Sequence, residues 1–289
     1  MGDIGRAQIQ TQALTGHGLG IEVRGVDLGS ELPDEVAQTL RDLWSEHAVL
    51  VVRDQKLDPV GFQRAAQVFG DILPQQLSKF SLPDHPLVGT ISSRDLPRRD
   101  GKLHVRGENY HTDHSNFREP PIGTMLHAIE LPSSGGDTQF VDVRTAYDEL
   151  PDAVKSRIDS LRSLHVYESS RSPRPMAALS PEERVLAGSS SQPLVIVHPV
   201  SGRRALYLNT GRMEGVEGLP EEEGFALIKS LYEHAIQPRY EYRHRWVPGD
   251  FVLWDNRSVM HQANADFDPE EFRYLYRLML KGDALKGVA

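Results

Sequence analysis

The spacing of apolar residues changes along the first 70 residues, and each spacing predicts a different element. Ile21 and Val23 alternate with polar neighbours, as in a half-buried strand. Leu40 and Leu43 lie at helical spacing after a Pro-Asp start signal, and residues 48–52 form a continuous apolar run. The stretch "DPVGFQRAAQVFG" then combines an Asp-Pro start with a closing glycine, which indicates a second helix. The predicted order is strand, helix, buried strand and helix.

From residue 71 the pattern changes to short apolar stretches separated by turn clusters, among them "SLPDHP", "LPSSGGD", "HPVSGR" and "VPGD". Repeated short strands separated by such turns favour a sandwich or barrel over a doubly wound sheet. Helical spacing interrupts the strands at residues 144–161 and 221–235. The predicted fold is mostly β with peripheral helices around a jelly-roll core, in one domain that spans residues 1–289.

Residues 169–191 follow neither the strand period nor the helix period. The segment reads "SSRSPRPMAALSPEERVLAGSSS" and is rich in Ser, Pro and Arg. We therefore predict a long mobile loop or lid over these residues.

Composition narrows the classes of function. Of the 289 residues, 39% are hydrophobic and 25% are charged, which is ordinary for a globular domain with a sizeable core. A formal net charge of -9 argues against a nucleic-acid partner, because phosphate contacts need clustered Lys and Arg. No run approaches the roughly 18 apolar residues of a membrane span, so we expect a cytoplasmic protein without membrane contact. The chain has no cysteine, so any metal must be held by His, Asp or Glu.

The stretch "NYHTDHSNF", residues 109–117, concentrates candidate metal ligands. If this backbone is extended, His111 and Asp113 point to one side, whereas Thr112 and His114 point to the other. This alternation favours His111 and Asp113 as a ligand pair. The H-x-D tripeptide alone is a weak signal, and a metal site of this kind needs a third ligand.

A histidine about 150 positions later offers that third ligand. In "GDFVLWDNRSVMHQANADF", an apolar strand leads into a turn, and His261 lies on the next extended stretch. Two histidines and one carboxylate form the facial triad, which leaves coordination positions open and suits Fe(II) that must bind a co-substrate and O2. A zinc-dependent hydrolase or lyase with the same three ligands on a jelly-roll scaffold is the alternative. The other nine of the twelve histidines are rival ligands.

Two arginines lie on one face of the last predicted strand, in "EEFRYLYRLMLKG". Arg273 and Arg277 share that face with apolar residues, where a charge is expensive to bury unless it meets an anion. Four residues of strand separate them by about 13 Å, which is too far for both to bind one small carboxylate. We therefore predict two anion sites, with pairing to an internal Asp or Glu as the alternative.

Together these motifs resemble the taurine dioxygenase and 2,4-D dioxygenase family of Fe(II)/2-oxoglutarate-dependent enzymes. The similarity covers nearly the whole chain and includes "GIEVRGVDL", "YHTDHSNFREPP", "LPSSGGDTQFVDVRTAYDELP", "VIVHPVSGRRALYLN" and "YRHRWVPGDFVLWDNRSVMHQA". It implies a double-stranded β-helix fold, a kind of jelly roll, for a single dioxygenase domain. It also implies Fe(II) and O2 as cofactors, with 2-oxoglutarate as the co-substrate. A homo-oligomer, either a dimer or a tetramer, is a further implication.

The resemblance also implies roles for individual residues. His111, Asp113 and His261 match the iron ligands of the family, and Thr138 and Arg273 match the residues that bind the distal carboxylate of 2-oxoglutarate. The implied reaction hydroxylates a small acidic substrate and converts 2-oxoglutarate to succinate and CO2. The substrate would be an aryloxyalkanoate, an alkyl sulfate or sulfonate, or another carboxylate. Hydroxylation beside a heteroatom would also cleave a C–O, C–N or C–S bond.

The residues expected to bind the primary substrate match the family less closely. Arg277 matches the arginine that receives the acidic group of the substrate, and His114 follows the triad carboxylate as a candidate substrate neighbour. Taurine-type members carry histidines after the "FG" of the second helix, whereas this chain has Gln75 and Gln76 in "DILPQQLSKF". Because glutamine is neutral where histidine could add charge, we predict that taurine is not the substrate.

Overall fold

The computed structural model of the protein describes residues 9–75, 78–95, 98–99, 102–105, 107–172 and 179–288. Strands outnumber helices in these ranges, in agreement with the predicted mostly β class. The helices are α1 Asp34–His47, α2 Pro59–Gln67, α3 Val143–Asp148, α4 Asp152–Ile158, α5 Pro181–Ala187 and α6 Glu221–Ala235. Short 3-10 turns lie at Ser78–Phe80, Ser93–Asp95 and Pro238–Tyr240.

The strands are numbered in chain order. The first nine are β1 Gln10–Ala13, β2 Ile21–Arg24, β3 Val49–Val52, β4 Ser81–Leu82, β5 His85–Ser92, β6 Arg98–Arg99, β7 Lys102–Leu103, β8 Gly123–Glu130 and β9 Thr138–Asp142. The others are β10 Arg162–Val166, β11 Ser189–Pro193, β12 Val195–Val197, β13 Arg204–Leu206, β14 Met213–Val216, β15 Glu241–His244, β16 Phe251–Asp255, β17 Val259–Ala263 and β18 Tyr274–Leu280.

The predicted N-terminal elements form for the reasons that the sequence suggested. Helix α1 begins directly after Pro33 and ends at Ala48, whose left-handed conformation (φ 61°) turns the chain into β3. Helix α2 has proline at its first position, and the Asp58 side chain accepts a hydrogen bond of 2.7 Å from the Gly61 N–H.

An eight-stranded sheet forms the centre of the fold, in the order β1-β2-β3-β16-β8-β18-β5-β4. Its neighbours pair antiparallel, except that β2 and β3 run parallel. Both faces of the middle strands are covered, which explains the continuous apolar run in β3. Helices α1 and α2 pack on one face, where Leu40 and Phe62 meet Phe251 and Leu253.

A smaller sheet, in the order β15-β9-β17, covers the opposite face. Phe140 and Tyr242 from this sheet pack in one cluster with Val252, Trp254 and Leu275 from the large sheet. Two further small sheets, β11-β10-β14 and β12-β13, surround a third apolar cluster together with α3 and α6. The metal-ligand candidates lie where the small sheet meets the loop that precedes β8.

Two predicted segments differ in detail from the structure. The helix predicted over residues 144–161 is two helices, α3 and α4, because Pro151 lies between them and cannot continue α3. Within 169–191, residues 173–178 lie outside the described ranges, and α5 and the start of β11 follow. Ser180 opens α5 with a capping box to Glu183, a local signal that the loop prediction overlooked. A lid function for this segment remains a prediction. No helix in the described ranges is long and apolar enough to cross a membrane.

Candidate metal centre and its surroundings

The side chains of His111, Asp113 and His261 converge, and their nearest ligand atoms all lie within 4.8 Å of one another. The Nε2 atoms of His111 and His261 each lie 3.8 Å from a carboxylate oxygen of Asp113. This distance is too long for hydrogen bonds. Donor atoms that bind one ion at about 2.1 Å lie about 3 to 4 Å apart. The three groups therefore fit a small divalent ion better than they fit one another.

The backbone holds the two histidines side by side. His111 and His261 form an isolated antiparallel bridge, in which each N–H donates to the carbonyl of the other at 3.0 and 2.9 Å. Nδ1 of His111 lies 2.8 Å from the Asn109 carbonyl and donates to it, so in the neutral ring Nε2 carries the lone pair that a metal needs. The His261 ring packs 4.5 Å from the Trp254 ring, which fixes its orientation.

Gly107 makes room for the His111 ring. Its φ of +78° is a left-handed conformation, and a Cβ at this position would lie 2.8 Å from Cε1 of His111. Only glycine therefore allows both the turn and the ring position.

A chain of hydrogen bonds fixes the Asp113 carboxylate. The Thr124 hydroxyl of β8 donates to Oδ2 of Asp113 at 2.7 Å, and the Asn256 side chain donates to the Thr124 hydroxyl at 3.0 Å. The Trp254 indole N–H in turn donates to the Asn256 oxygen at 3.1 Å. Asn256 lies in the turn that was predicted before His261, whereas no spacing in the sequence pointed to Thr124.

The strand alternation used to choose His111 and Asp113 is wrong in detail. His111 lies in the isolated bridge, but residues 113–116 form a turn, and His114 has a left-handed φ of 45°. The two side chains converge because of this turn and the Thr124 hydrogen bond. An extended backbone would bring the same two side chains to one side, but this backbone turns at Asp113.

The charge states of Asp113 and His261 suit a metal. Burial tends to raise the pKa of Asp113, but the neighbouring His261, His111 and Arg277 outweigh it and hold the pKa well below its usual range. Burial, with a contribution from His111, lowers the pKa of His261 to about 3. At neutral pH the site therefore presents a carboxylate and a neutral imidazole with lone pairs to donate.

Arg273 is buried directly before β18, near the "GGDT" segment. Its Nε donates to the Gly136 carbonyl at 3.0 Å, and a Cβ at Gly136 would lie 3.0 Å from the Arg273 side chain. In the described ranges no carboxylate lies within ion-pair distance of Arg273, because Asp137 and Asp266 pair with Arg243 instead. Burial lowers the pKa of Arg273 to about 10, so the guanidinium remains charged. Within the part of the chain that the structure describes, Arg273 therefore does not form the internal ion pair that was the predicted alternative.

Thr138 begins β9 beside this segment and is also buried. Its hydroxyl accepts a hydrogen bond of 3.1 Å from the Trp246 indole N–H and keeps its own proton to donate.

Arg277 lies four residues further along β18 and is partly exposed. Its Nη2 donates to the Gln75 oxygen at 3.2 Å, and the Gln75 amide donates to the Leu87 carbonyl at 2.9 Å. A Cβ at Gly89, which pairs with Arg277 across the sheet, would lie 2.8 Å from the Gln75 oxygen. Gln75 therefore touches the predicted substrate arginine, whereas Gln76 lies outside the described residues.

His114 lies beside the triad with its ring 4.8 Å from Phe117. Its Nδ1 is buried and has no hydrogen-bond partner in the described ranges. Burial and the charge of Arg212 lower the pKa of His114 to about 3. No sequence motif links Arg212 to the triad.

Known proteins match this chain over almost its full length. Residues 10–279 match the family model described as taurine catabolism dioxygenase TauD, TfdA family. The alpha-ketoglutarate-dependent 2,4-dichlorophenoxyacetate dioxygenase of Cupriavidus pinatubonensis is 34% identical over 276 residues, which cover 91% of this chain and 94% of that protein. The alkylsulfatase of Acinetobacter baylyi is 30% identical over 290 residues, which cover 97% of this chain and 87% of that protein.

Solved structures show the same similarity. A taurine dioxygenase from Burkholderia xenovorans superposes with a TM-score of 0.80 at 29% identity, and the match covers 96% of this chain and 93% of that chain. AAD-2 in complex with Mn(II) and N-oxalylglycine superposes with a TM-score of 0.81 at 27% identity. The match covers 98% of this chain and 100% of that chain. The chain belongs to the taurine catabolism dioxygenase TauD, TfdA family, and it is a 2-oxoglutarate-dependent dioxygenase that uses Fe(II) and O2.

Proposed function

We propose that this protein hydroxylates a small organic acid and that His111, Asp113 and His261 hold its Fe(II). The observation that carries the proposal is the three-residue donor cluster, whose atoms lie within 4.8 Å of one another and fit an ion. Bound Fe(II) supplies the centre at which O2 oxidises the substrate while 2-oxoglutarate is converted to succinate and CO2. The protein binds and orients both acids and keeps water away from the reaction.

Arg273 and Thr138 would bind the distal carboxylate of 2-oxoglutarate. Arg273 is a buried charge without an internal carboxylate partner in the described ranges, and Thr138 has a hydroxyl proton to donate. A charge-assisted hydrogen bond to the co-substrate would satisfy the guanidinium, which costs free energy when it is buried alone.

Arg277 would bind the acidic group of the primary substrate, with Gln75 and His114 nearby. The relatives named for 2,4-dichlorophenoxyacetate, for (S)-phenoxypropionate and for sulfate esters support a small anion of these classes. We propose an aryloxyalkanoate, an alkyl sulfate or sulfonate, or another carboxylate. If the new hydroxyl is placed on a carbon that bears O, N or S, the product collapses and the bond to that heteroatom breaks.

The two facing sheets support a double-stranded β-helix, or jelly roll, as the core of a single domain. Apolar side chains of the large sheet and of β9 and β15 pack between them. A cytoplasmic location and a homo-oligomeric assembly, both expected from the sequence, remain predictions. Size-exclusion chromatography with light scattering would measure the assembly.

Succinate release across a panel of small anions tests the proposed reaction. The panel would contain aryloxyacetates, alkyl sulfates, alkyl sulfonates, taurine and amino-acid carboxylates, each with Fe(II), 2-oxoglutarate and O2. We expect at least one acid other than taurine to raise succinate release above the rate without substrate. Conversion of the primary substrate that depends on Zn(II) and needs neither 2-oxoglutarate nor O2 would favour the hydrolase alternative instead.

A further inference from the structure

The indole of Trp246 contacts both a surface cavity and the Thr138 hydroxyl, and the function proposed above gives this indole no role. The cavity has a volume of about 360 Å³ and lies between residues 131–137 and the chain after β15, where Arg245 and Trp246 line it. Trp246 is partly exposed, whereas Thr138 is only 3% exposed. The indole N–H donates to the Thr138 hydroxyl at 3.1 Å. Trp246 therefore covers a residue that is expected to bind 2-oxoglutarate.

Neighbouring side chains hold the Trp246 ring in place. His244 lies opposite Thr138 in the pairing of β15 with β9, and its ring meets the Trp246 ring edge-on, 4.6 Å away at 86°. The His244 ring is itself bound at both nitrogens. The Tyr242 hydroxyl lies 2.9 Å from Nδ1, and the Asp250 carboxylate lies 3.1 Å from Nε2. The indole therefore packs against a ring that is itself fixed by two hydrogen bonds.

The hydrogen bond from Trp246 limits what the Thr138 hydroxyl can offer to a ligand. A hydroxyl has one proton and two lone pairs, whereas an indole N–H can only donate. The oxygen of Thr138 therefore accepts on the side of Trp246. In the described ranges no protein acceptor takes the hydroxyl proton, so this proton is available to a ligand. Without the indole, the hydroxyl could turn and present a lone pair instead.

Arg273 is the other group expected at the distal carboxylate, and it also can only donate. Its Nε donates to the Gly136 carbonyl at 3.0 Å, so the terminal nitrogens are the ones that can meet a ligand. With Trp246 in place, Arg273 and Thr138 both present protons, and an ionised carboxylate accepts from both. A lone pair of Thr138 turned toward that carboxylate would repel it.

We propose that Trp246 is a positioning residue for the co-substrate, because its N–H commits the Thr138 hydroxyl to donate to the distal carboxylate of 2-oxoglutarate. The proposal rests on the proposed function, in which Thr138 binds that carboxylate. Trp246 acts through Thr138 and does not itself touch 2-oxoglutarate. Its effect should therefore be seen in the affinity for 2-oxoglutarate and should require the Thr138 hydroxyl.

Anaerobic titration of the Fe(II)-loaded full chain with 2-oxoglutarate measures this affinity without turnover and without a primary substrate. The charge-transfer band gives the Kd for 2-oxoglutarate. Trp246→Phe keeps an aromatic ring beside the cavity but removes the N–H. We expect it to raise the Kd about 5- to 10-fold, because a charge-assisted hydrogen bond from Thr138 is weakened.

A double-mutant cycle separates positioning from a general loosening of the structure. Thr138→Val keeps the shape of the side chain and removes the hydroxyl, and it should raise the Kd about 10-fold by itself. In the Thr138→Val background, Trp246→Phe should change the Kd less than about 2-fold, because the group on which the indole acts is gone. A loosened structure would instead weaken 2-oxoglutarate binding equally in both backgrounds.

Trp44→Phe is the matched control for the loss of an indole N–H. The Trp44 N–H is buried and has no hydrogen-bond partner in the described ranges, and its ring packs 5.9 Å from the Phe69 ring. Trp44 belongs to α1, which covers the face of the large sheet opposite to β9. This variant should keep the wild-type Kd for 2-oxoglutarate within about 2-fold.

An unchanged Kd in Trp246→Phe would overturn the proposal, and so would equal weakening with and without the Thr138 hydroxyl. Loss of the saturating band in Trp246→Phe or Thr138→Val would overturn it as well, since the residue would then support the whole metal centre. The proposed function fails separately, if the wild type itself gives no band with Fe(II) and 2-oxoglutarate.

Discussion

At the scale of residues, two arginines of the last strand region, one buried and one partly exposed, have few protein partners in the described ranges. Arg273 is held by Gly136 and excluded from the neighbouring acids, because Arg243 binds Asp137 and Asp266. Arg277 contacts Gln75 through one nitrogen. The chain thus keeps two positive charges available for two different acids.

Arginine substitutions should separate these two acids. Arg273→Ala should raise the 2-oxoglutarate concentration needed for half-maximal succinate release about 100-fold, because two charge-assisted hydrogen bonds are lost. Arg277→Ala should instead raise the KM for the primary substrate. The two-anion assignment would be wrong if both variants raised only the 2-oxoglutarate requirement.

The hydrogen bond from Thr124 to Asp113 should contribute to metal affinity. Thr124→Val keeps the shape of the side chain but removes the hydroxyl, so Asp113 loses its orientation and the Asn256 amide loses its acceptor. We expect Fe(II) or Mn(II) to bind about 10-fold more weakly, as is usual for groups that orient metal ligands. Thr124→Ser retains the hydroxyl and should restore most of the affinity. Unchanged metal binding in Thr124→Val would contradict this role.

These residues show which parts of the site could be predicted from the sequence. The side chains of His111, Asp113 and His261 converge as predicted, and the resemblance also singled out Thr138, Arg273 and Arg277. Thr124 was missed, because a hydroxyl that acts through a contact 11 residues away leaves no periodic signal. No sequence pattern pointed to Arg212 either, because its neighbours in the folded protein are distant from it in the sequence.

At the scale of elements, the metal centre is built between a strand and a loop. The bridge between His111 and His261 extends the small sheet beyond β17, and the turn at 113–116 redirects the chain toward β8. Periodicity could predict β16, β17 and β18, which are apolar strands with long partners. It could not predict the turn, because the departure from extended backbone at His114 depends on tertiary contacts.

The loop before His111 offers a test of this arrangement. Gly107→Ala should weaken metal binding at least 10-fold, because the new methyl group lies 2.8 Å from the His111 ring and must displace it. Gly202→Ala is the matched control, since Gly202 also has a left-handed φ, of +69°, but has no atoms within 4 Å of the added Cβ. Both variants should lose about 1 to 2 kcal/mol of unfolding free energy from backbone strain. Equal metal affinity in the two variants would contradict the predicted displacement.

At the scale of the whole molecule, a buried cluster of polar side chains connects the sheets around the site. Asp255 at the end of β16 accepts from the Arg257 guanidinium at 2.7 Å and pairs with Nε2 of His198, which follows β12, at 2.9 Å. The large sheet is therefore joined to the β12-β13 sheet next to the turn that carries Asn256. The sequence predicted the class of fold, but it could not predict this pairing across 57 residues.

Removing the Asp255 charge should destabilise the fold. Asp255→Asn leaves Arg257 buried without its carboxylate, which should lower the free energy of unfolding by about 3 to 5 kcal/mol. Urea unfolding at pH 7 would measure the difference. A loss below about 1 kcal/mol would show that the pair does not support the fold.

The same carboxylate should make stability depend on acid pH. Burial tends to raise the pKa of Asp255, but Arg257 and His198 hold it well below its usual range. A lowered pKa in the folded state means that the carboxylate stabilises the protein above its unfolded pKa, about 3.9, and loses this effect as the pH falls further. Wild type should therefore lose unfolding free energy below about pH 4, and Asp255→Asn should lose less. Parallel pH profiles for the two proteins would contradict this assignment.

The visible spectrum of the anaerobic protein tests the central claim most directly. Fe(II) and 2-oxoglutarate added without O2 should produce a weak metal-to-ligand charge-transfer band in the wild type, because the triad leaves coordination positions open for the 2-oxo acid. His261→Ala should lose the band at the same Fe(II) concentration, while Gly202→Ala should retain it. Absence of the band in the folded wild type, with His111, Asp113 and His261 intact, would contradict the iron and 2-oxoglutarate site proposed here.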